Sequence, residues 1–453
     1  MVTLKCSYTV KPAEPTPIIR QWLPEADQLQ ALTHAPTVYF YPSSKPDSID
    51  SPLETLKDSL SQALVYFYPL AGRLHVIDGG RLELDCNAMG AEVFEAYSES
   101  TIKDFGDFAP TPELRKLLVP PIDYNNTPFH ELPLVLVQLT KFKCGGLSIG
   151  LAISHSMVDG QAALHFISCW AKIARGEKLV DSDQPFLDRT ILKMDDDNNK
   201  KGPRYHHVEF DPPPLMIGAS DDKEERSKET TVTMLKLTKE QVEKLKQKAN
   251  IDRTKDDMKV RMYSRYESLA GHIWRCTCKA RGHDDEQLTG LRISVDCRHR
   301  LRPPLPPKYF GNVTFKSTPV AKSGDLMKKP LSYAASKMRE GAEMFNDDYI
   351  RSSVEYLKNE SDWSRIRRGF HSVGCPQGDY LGNPNLAVTS WIGLSIYDAD
   401  FGWGKPIYMG PATLGFDGKS FVIPGDGDGS LLIALRLRVD HMEAFKEFFY
   451  QDI

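Results

Sequence analysis

Leu147-Ser-Ile-Gly-Leu-Ala-Ile153 runs directly into Ser154-His155-Ser156-Met157-Val158-Asp159-Gly160, and apolar residues then recur at Leu164, Ile167, Trp170 and Ile173 until Gly176. The first run reads as a strand and the last series, with its 3.6-residue period, as an amphipathic helix. A strand-to-helix junction of this kind is where α/β proteins display reactive side chains at a cleft. His155 is the general-base candidate, because an imidazole titrates near neutrality. Asp159 has three readings. It orients His155, it pairs with an arginine and braces the turn, or it caps the helix that starts at Gly160.

Working outward, residues 1–180 read as a first α/β unit. Pro36-Thr-Val-Tyr-Phe-Tyr-Pro42 is a β-branched and aromatic strand, Leu53–Val65 carries helical spacing, and Arg81–Asp85 alternates as a half-buried strand does. Leu134–Thr140 and Leu147–Ile153 are joined by Lys143-Cys-Gly-Gly146, a glycine pair suited to a hairpin turn. Residues 181–230 are charged and proline-rich, with Asp195-Asp-Asp-Asn-Asn-Lys-Lys201 and Pro212-Pro-Pro214, and read as a crossover linker, mobile in places. Residues 231–453 form a second domain. Strands are expected at Thr230–Lys236, Leu291–Asp296, Phe421–Ile423 and Leu431–Leu437, and helices at Thr238–Lys248, Tyr266–Lys279 and from His441.

The chain has 453 residues, enough for two cores. Its 57 Lys+Arg against 61 Asp+Glu lack the basic surplus of a nucleic-acid binder. No run of eighteen apolar residues and no secretory h-region is found, so a cytoplasmic enzyme is the expectation. The eight cysteines are scattered, and free, mostly buried thiols are expected rather than a disulfide framework. A metal site is not expected. His155 and Asp159 have no third ligand nearby, and His206-His207 falls in the charged linker, where histidines are exposed and idle.

A second motif, Asp400-Phe401-Gly402-Trp403-Gly404, is a tight glycine turn carrying an acid and two aromatics. Together with His155-Ser-Met-Val-Asp159, Tyr68-Pro-Leu-Ala-Gly-Arg73 and Tyr309-Phe-Gly-Asn312, in this order over the whole chain, it resembles the plant BAHD acyl-CoA-dependent acyltransferases. The resemblance implies an α/β, two-domain chloramphenicol-acetyltransferase-like fold, each domain a mixed sheet with helices and a solvent channel between them. It implies that His155 deprotonates the acceptor as it attacks the thioester, and that Trp391 of Thr389-Ser-Trp391 supplies the oxyanion donor. Asp159 then braces through an arginine. Asp400 would form a salt bridge, with Arg298 as the expected partner. Acyl-CoA is a co-substrate, no cofactor is implied, and relatives are commonly monomeric. CoA phosphates need cations and donors, and Ser264 and Arg265 at the start of a helix, with Lys259 and Arg261 nearby, are the expected place.

Within the family, Thr140–Gly146, Gly271-His-Ile-Trp-Arg-Cys276 and Leu305–Asn312 resemble the hydroxycinnamoyltransferase branch, which implies p-coumaroyl-, caffeoyl- or feruloyl-CoA as donor. Tyr39 and Tyr41 are candidates to line a planar acyl pocket, against simple core packing. The shikimate enzymes of this branch carry an arginine two residues after Thr-Ser-Trp, and here that position is Gly393. The missing carboxylate clamp turns the expectation from shikimate or quinate to spermidine. Val208–Pro214, Gly382–Leu386 and His441–Lys446 resemble the spermidine hydroxycinnamoyltransferases. A polyamine asks for carboxylates along its channel, and Asp379 and Asp398 are the candidates. An inert family member acting as a binding protein is the contrasting reading.

Overall fold

The computed structural model describes residues 2–42, 51–193, 202–251, 261–368, 381–425, 427–451 and 453. Among them sixteen strands run in chain order: β1 (Val2–Val10), β2 (Ile19–Trp22), β3 (His34–Tyr41), β4 (Arg73–Val76), β5 (Leu82–Cys86), β6 (Ala91–Ser98), β7 (Val135–Phe142), β8 (Leu147–Ser154), β9 (Thr230–Leu237), β10 (Leu288–Asp296), β11 (Thr314–Ser317), β12 (Val320–Lys322), β13 (Leu386–Ser390), β14 (Tyr408–Pro411), β15 (Lys419–Pro424) and β16 (Leu431–Arg438). A six-stranded sheet has the order β1-β6-β7-β8-β3-β14. A second sheet runs β11-β10-β13-β15-β16-β9, with β12 beside β10, and β2-β5-β4 form a small third one. Both large sheets are mixed: β6–β7, β10–β13 and β13–β15 are parallel and their other pairings antiparallel.

The elements expected from periodicity are present. Leu53–Val65 lies in the helix Pro52–Tyr66, which packs on the helix Gly160–Ala174. The second of these buries Ile167, Trp170 and Ile173 of the stripe read from the sequence, with Ala162 and Phe166 beside them, while Leu164 is half-buried. Each such large apolar side chain stabilises the packing by roughly 1.5–3 kcal/mol. Phe166 meets the Phe67 ring edge-on at 5.3 Å, and the Trp170 indole N–H donates to Ser59 Oγ at 2.9 Å. The helices Arg265–Ala280 and Leu331–Glu343 cover the second sheet's core around Trp274, Leu291, Phe315 and Val388.

One strand from the 231–453 range belongs to the first sheet. β14, deep in the second half of the chain, pairs with β3 and closes the edge of the first sheet, with Tyr408 opposite Phe40 and Pro411 opposite Thr37. Within the described parts of the crossover, Arg189, His207 and Glu209 are buried and anchor it to the rest of the chain. Arg189 is buried against Asp27 and donates to the Met157 carbonyl at 3.0 Å. His207 is buried, not idle: its ring nitrogens meet Glu209 at 3.1 Å and Ser352 at 2.9 Å, while His206 stays exposed. The proline run is held where the Asn385 amide donates to the Pro214 carbonyl at 2.7 Å. The described cysteines are free, five buried and two exposed, and Cys375 lies outside the described residues. Among the described residues no helix is long and apolar enough to cross a membrane.

Candidate active site

His155 follows β8 directly and opens onto a cavity of about 360 Å³ between the two large sheets. Its backbone is fixed from both sides. The amide donates to the Thr33 carbonyl at 3.0 Å, and the carbonyl accepts from Asn312 Nδ2 at 3.0 Å. Asn312 in turn donates twice to Asp27, through its amide and its side chain, both at 2.8 Å. The second domain therefore reaches across to hold the turn that carries the imidazole. The ring's Nδ1 is buried with no hydrogen-bond partner among the described residues. Burial first, and then the Lys316 cation, push the His155 pKa down to about 4, so the imidazole is neutral at physiological pH and able to accept a proton.

Asp159 does not orient the imidazole. Its carboxylate accepts from both terminal nitrogens of Arg298 at 2.7 and 2.8 Å, from the amides of Val313 and Ala162 at 3.0 and 3.1 Å, and from the Thr314 hydroxyl at 3.2 Å. The bracing and capping readings hold together: the Ala162 contact is the N-cap of the helix Gly160–Ala174. Burial alone would raise the Asp159 pKa. The Arg298 guanidinium and the amide donors outweigh it and hold the carboxyl below its ordinary value. Gly160 lines the cavity, and a Cβ there would come within 3.2 Å of Leu394.

Arg298 is therefore not the partner of Asp400. Its remaining bonds go to Asp296 and to the Gly311 carbonyl. Asp400 instead folds its own turn, accepting from the amides of Gly402 at 2.8 Å and Gly404 at 3.0 Å, while its carbonyl accepts from Arg175 at the end of the helix Gly160–Ala174. Gly402 and Gly404 have φ of 96° and 87°, a region that strains any residue with a Cβ. The turn drives Phe401 and Trp403 into the first core, where Phe401 meets Trp170 at 4.8 Å and Trp403 meets Tyr41 at 5.5 Å, both edge-on. This explains Tyr41: its hydroxyl donates to the Ala399 carbonyl at 2.7 Å. Tyr39 and Tyr41 are fully buried core residues and do not line the cavity, so the acyl-pocket expectation for them is corrected.

The other expected contacts divide. Thr389 and Trp391 line the cavity with His155. Gly393 is exposed, lies off the lining, and faces open space where a Cβ would be. Asp398 is exposed, 3.4 Å from Lys405, and also off the lining; Asp379 lies outside the described residues. Near the expected CoA residues, Ser264 caps the helix Arg265–Ala280, and Glu267 accepts the Ser264 amide at 2.6 Å. Arg261 is bound by the same Glu267 through two bonds of 2.9 and 2.8 Å. That helix end is thus already occupied by its own carboxylate. Neither Ser264, Arg261 nor the exposed Arg265 lines the cavity, and Lys259 lies outside the described residues.

Sequence reading missed the charges of the cavity wall. Arg292, Ser294 and Asp296 on β10, Thr314 and Lys316 on β11, Thr389 on β13, and Lys419 and Phe421 on β15 all line it. These are alternate residues of neighbouring strands, so one face of the second sheet forms the wall. Lys316 Nζ donates to Ser294 Oγ and Lys419 Nζ to Thr389 Oγ1, both at 2.9 Å. Burial pushes Lys316 down to about 8 and Lys419 to about 7, with Arg292 pressing on both and Lys316 on Lys419. The wall's acids are committed elsewhere: Asp159 to Arg298, and Asp296 to Arg298 and, through Oδ2 at 2.7 Å, to Gln161. No group of three His, Cys, Asp or Glu side chains suited to a metal ion occurs among the described residues.

Comparison with known proteins agrees with this architecture. The family model described as "Transferase family" matches residues 1–452. The hydroxycinnamoyl-CoA:piscidic acid hydroxycinnamoyltransferase of Actaea racemosa is 53% identical, with all of both chains covered. The shikimate O-hydroxycinnamoyltransferase of Nicotiana tabacum is 44% identical over 99% of each. The crystal structure of vinorine synthase, 22% identical, superposes with a TM-score of 0.71 over 98% of this chain and 96% of its own. Fusarium graminearum TRI101, solved with coenzyme A and T-2 mycotoxin, is 18% identical with a TM-score of 0.78 over 95% and 97%. The two-domain fold, the His155–Asp159 turn braced across the domains and the whole-length match place this chain in the Transferase family of BAHD acyl-CoA-dependent acyltransferases.

Proposed function

We propose that the chain transfers a hydroxycinnamoyl group from CoA to the hydroxyl of a carboxylic acid. One observation carries this reading: the cavity onto which His155 opens is lined by Arg292, Lys316 and Lys419. A spermidine ammonium about 5 Å from any one of them is repelled by on the order of 3 kcal/mol at an effective dielectric of about 20. This argues against the spermidine expectation, since the described acids on this wall are engaged and Asp398 is elsewhere. The same cations attract carboxylates, and they do so without an arginine at position 393. The names of several relatives support an acid acceptor: piscidic acid, shikimate and, for an Avena sativa enzyme that is 38% identical, 5-hydroxyanthranilate. Shikimate and quinate stay within this reading.

In the reaction, the acceptor hydroxyl oxygen attacks the thioester carbonyl and its proton passes to the neutral His155. Trp391, on the same cavity, is the donor we assign to the oxyanion. Collapse of the tetrahedral intermediate breaks the C–S bond, and the proton leaves from His155 to the CoA sulfur.

Acceptor turnover against pH tests the class. The charged and titratable groups on the cavity are Arg292, Lys316, Lys419, Arg298, Asp159, Asp296, His155 and His34. Both histidines are pushed down to about 4 and stay neutral above pH 6. Lys419 and Lys316 lose their protons through about 7 and about 8, so kcat/KM for an acid acceptor is expected to fall as pH rises from 7 to 9. A spermidine acceptor gives the opposite slope, because its amines, with pKa near that of lysine at about 10.4, become nucleophilic only as pH rises. Purified protein with p-coumaroyl- or caffeoyl-CoA and a mixture of shikimate, quinate, malate and spermidine, read by mass spectrometry, is expected to yield esters. Spermidine amides as the main product, with a rising profile, overturn the proposal.

A further inference from the structure

We propose that Lys419 is a positioning residue for acyl transfer: acting through it, Thr389 presents a second hydrogen-bond donor, beside Trp391, to the thioester carbonyl oxygen. This rests on acyl transfer at His155 and is independent of which acceptor is used.

Sheet register brings the pieces together. β13 and β15 run parallel, with Ala387 opposite Lys419 and Thr389 opposite Phe421. Thr389, Lys419 and Phe421 stand on the face that lines the cavity, and Trp391 follows Thr389 two positions on, where the period of a strand returns to the same face. Their side chains interlock. Lys419 Nζ donates to Thr389 Oγ1 at 2.9 Å and sits 4.6 Å from the centre of the Phe421 ring. That ring in turn meets Trp391 edge-on at 5.0 Å. The hydroxyl on one side and the ring face on the other fix the ammonium. The ring that holds the ammonium also packs the indole, so the two donors are set by one cluster.

The direction of the Lys419 bond decides what Thr389 can do. A hydroxyl has one proton to give and two lone pairs, whereas a protonated lysine has no lone pair. The bond therefore runs from Nζ to Oγ1 and not back, and Thr389 keeps its own proton to donate elsewhere. No acceptor for that proton occurs among the described residues. Thr389 lines the cavity that His155 opens onto, so the acceptor is supplied by the substrate. A hydroxyl polarised by a cation behind it is a stronger donor than a neutral one. Negative charge grows on the thioester oxygen as the acceptor attacks. Such a donor thus holds the tetrahedral intermediate more tightly than the substrate, and its effect appears in kcat. Attraction of an acid acceptor by the wall appears in KM instead. No proton passes to the oxygen: Thr389 and Lys419 keep theirs, and His155 alone accepts one from the acceptor.

The test uses the full chain with p-coumaroyl-CoA and whichever of shikimate, quinate, malate and spermidine it turns over. Thr389→Val, which keeps the shape and removes the hydroxyl, is expected to lower kcat by about 10² while the KM for p-coumaroyl-CoA changes less than about 3-fold. Lys419→Met is expected to lower kcat by about 10-fold or more. In the Thr389→Val background the same Lys419→Met change is expected to cost less than about 3-fold, because the lysine then has no hydroxyl to act through. Lys419→Arg and Thr389→Ser are expected to rescue, with kcat within about 10-fold of wild type. A second readout needs no acceptor. The thioester is conjugated to the coumaroyl ring, and a hydrogen bond to its carbonyl moves its absorption to longer wavelength. That shift is expected on binding to the wild type and is expected to shrink in Thr389→Val and in Lys419→Met. Melting temperatures check that each variant is folded, and Lys419→Gln replaces Lys419→Met should the latter fail. Losses that add in the double variant, or a Lys419→Met effect confined to the KM of acid acceptors, overturn the positioning role and leave the acid-acceptor reading standing. A Thr389→Val variant with near wild-type kcat, or with an undiminished spectral shift, overturns the second donor. Spermidine as acceptor with the same coupled losses in kcat supports the Lys419–Thr389 pair and overturns the acid-acceptor reading. Transfer to none of the four, with no spectral shift on binding, overturns both.

Discussion

Replacing His155 by alanine is expected to lower kcat by about 10²–10⁴ while shifting stability by no more than about 1 kcal/mol. The two halves of this prediction have different origins. The rate falls because the other candidate bases on the cavity are engaged: the His34 ring nitrogens meet the Tyr124 hydroxyl and the Pro133 carbonyl, Lys419 is bonded to Thr389, and Asp159 is consumed by five donors. Stability is spared because, among the described residues, the imidazole Nδ1 has no hydrogen-bond partner and the hydrogen bonds of residue 155 run through its main chain. Steady-state rates with p-coumaroyl-CoA, together with a thermal melt, check both halves. A variant that keeps more than about a tenth of the wild-type kcat removes His155 from the role of base. A variant that melts far below wild type shows that the ring is structural after all.

Arg298→Ala is expected to behave in the opposite way, with activity and stability lost together. Removing the guanidinium leaves Asp159 buried with its charge uncompensated, a change that typically costs about 3–5 kcal/mol. It also frees the Gly311 carbonyl and loosens the segment that carries Asn312, which holds the His155 carbonyl. Lysine at 298 is not expected to rescue, because one ammonium cannot reproduce the two parallel bonds to Asp159. The double variant Asp159→Asn/Arg298→Ala is expected to lose less stability than the sum of the single changes, since neither charge is then stranded. Additive losses across that cycle, measured by chemical denaturation, would disprove the coupling.

The parts of this molecule legible in the sequence were those set by short-range pattern. The His155–Asp159 turn sits between a strand and a helix because their periodicities change at that point, and the Asp400–Gly404 turn announces itself by two glycines flanking a tryptophan. Long-range pairing was not legible. Arg298 could be assigned to either of two acids, because nothing within its neighbourhood states which one the fold brings near; Asp159 is 139 positions away. The cation wall was hidden for the same reason. Arg292, Lys316 and Lys419 come from three strands, and only the register across β10, β13 and β15 and between β10 and β11 makes them neighbours. A search for acids along the chain found Asp398, which sits on the surface beside Lys405. The polarity of a cavity is a property of sheet faces, not of local composition. Tyr39 and Tyr41 carry the same lesson, since an aromatic run on a central strand supplies the core on both faces.

The strand β14 has a bearing on how the protein is made. Its partner β3 leaves the ribosome some 370 positions ahead of it, which at 5–20 residues per second is a delay on the order of tens of seconds. Throughout that interval the first sheet presents His34–Tyr41 as an open edge, apolar and rich in aromatic residues, the kind of strand that recruits other chains. Nascent chains of this enzyme are therefore vulnerable to association until translation is nearly finished, and holdase chaperones have a defined segment to protect. Residues 1–180 produced alone are expected to accumulate as insoluble or oligomeric material, and supplying residues 391–415 in trans is expected to raise the soluble fraction. A soluble, monomeric fragment would show that the edge is shielded by other means.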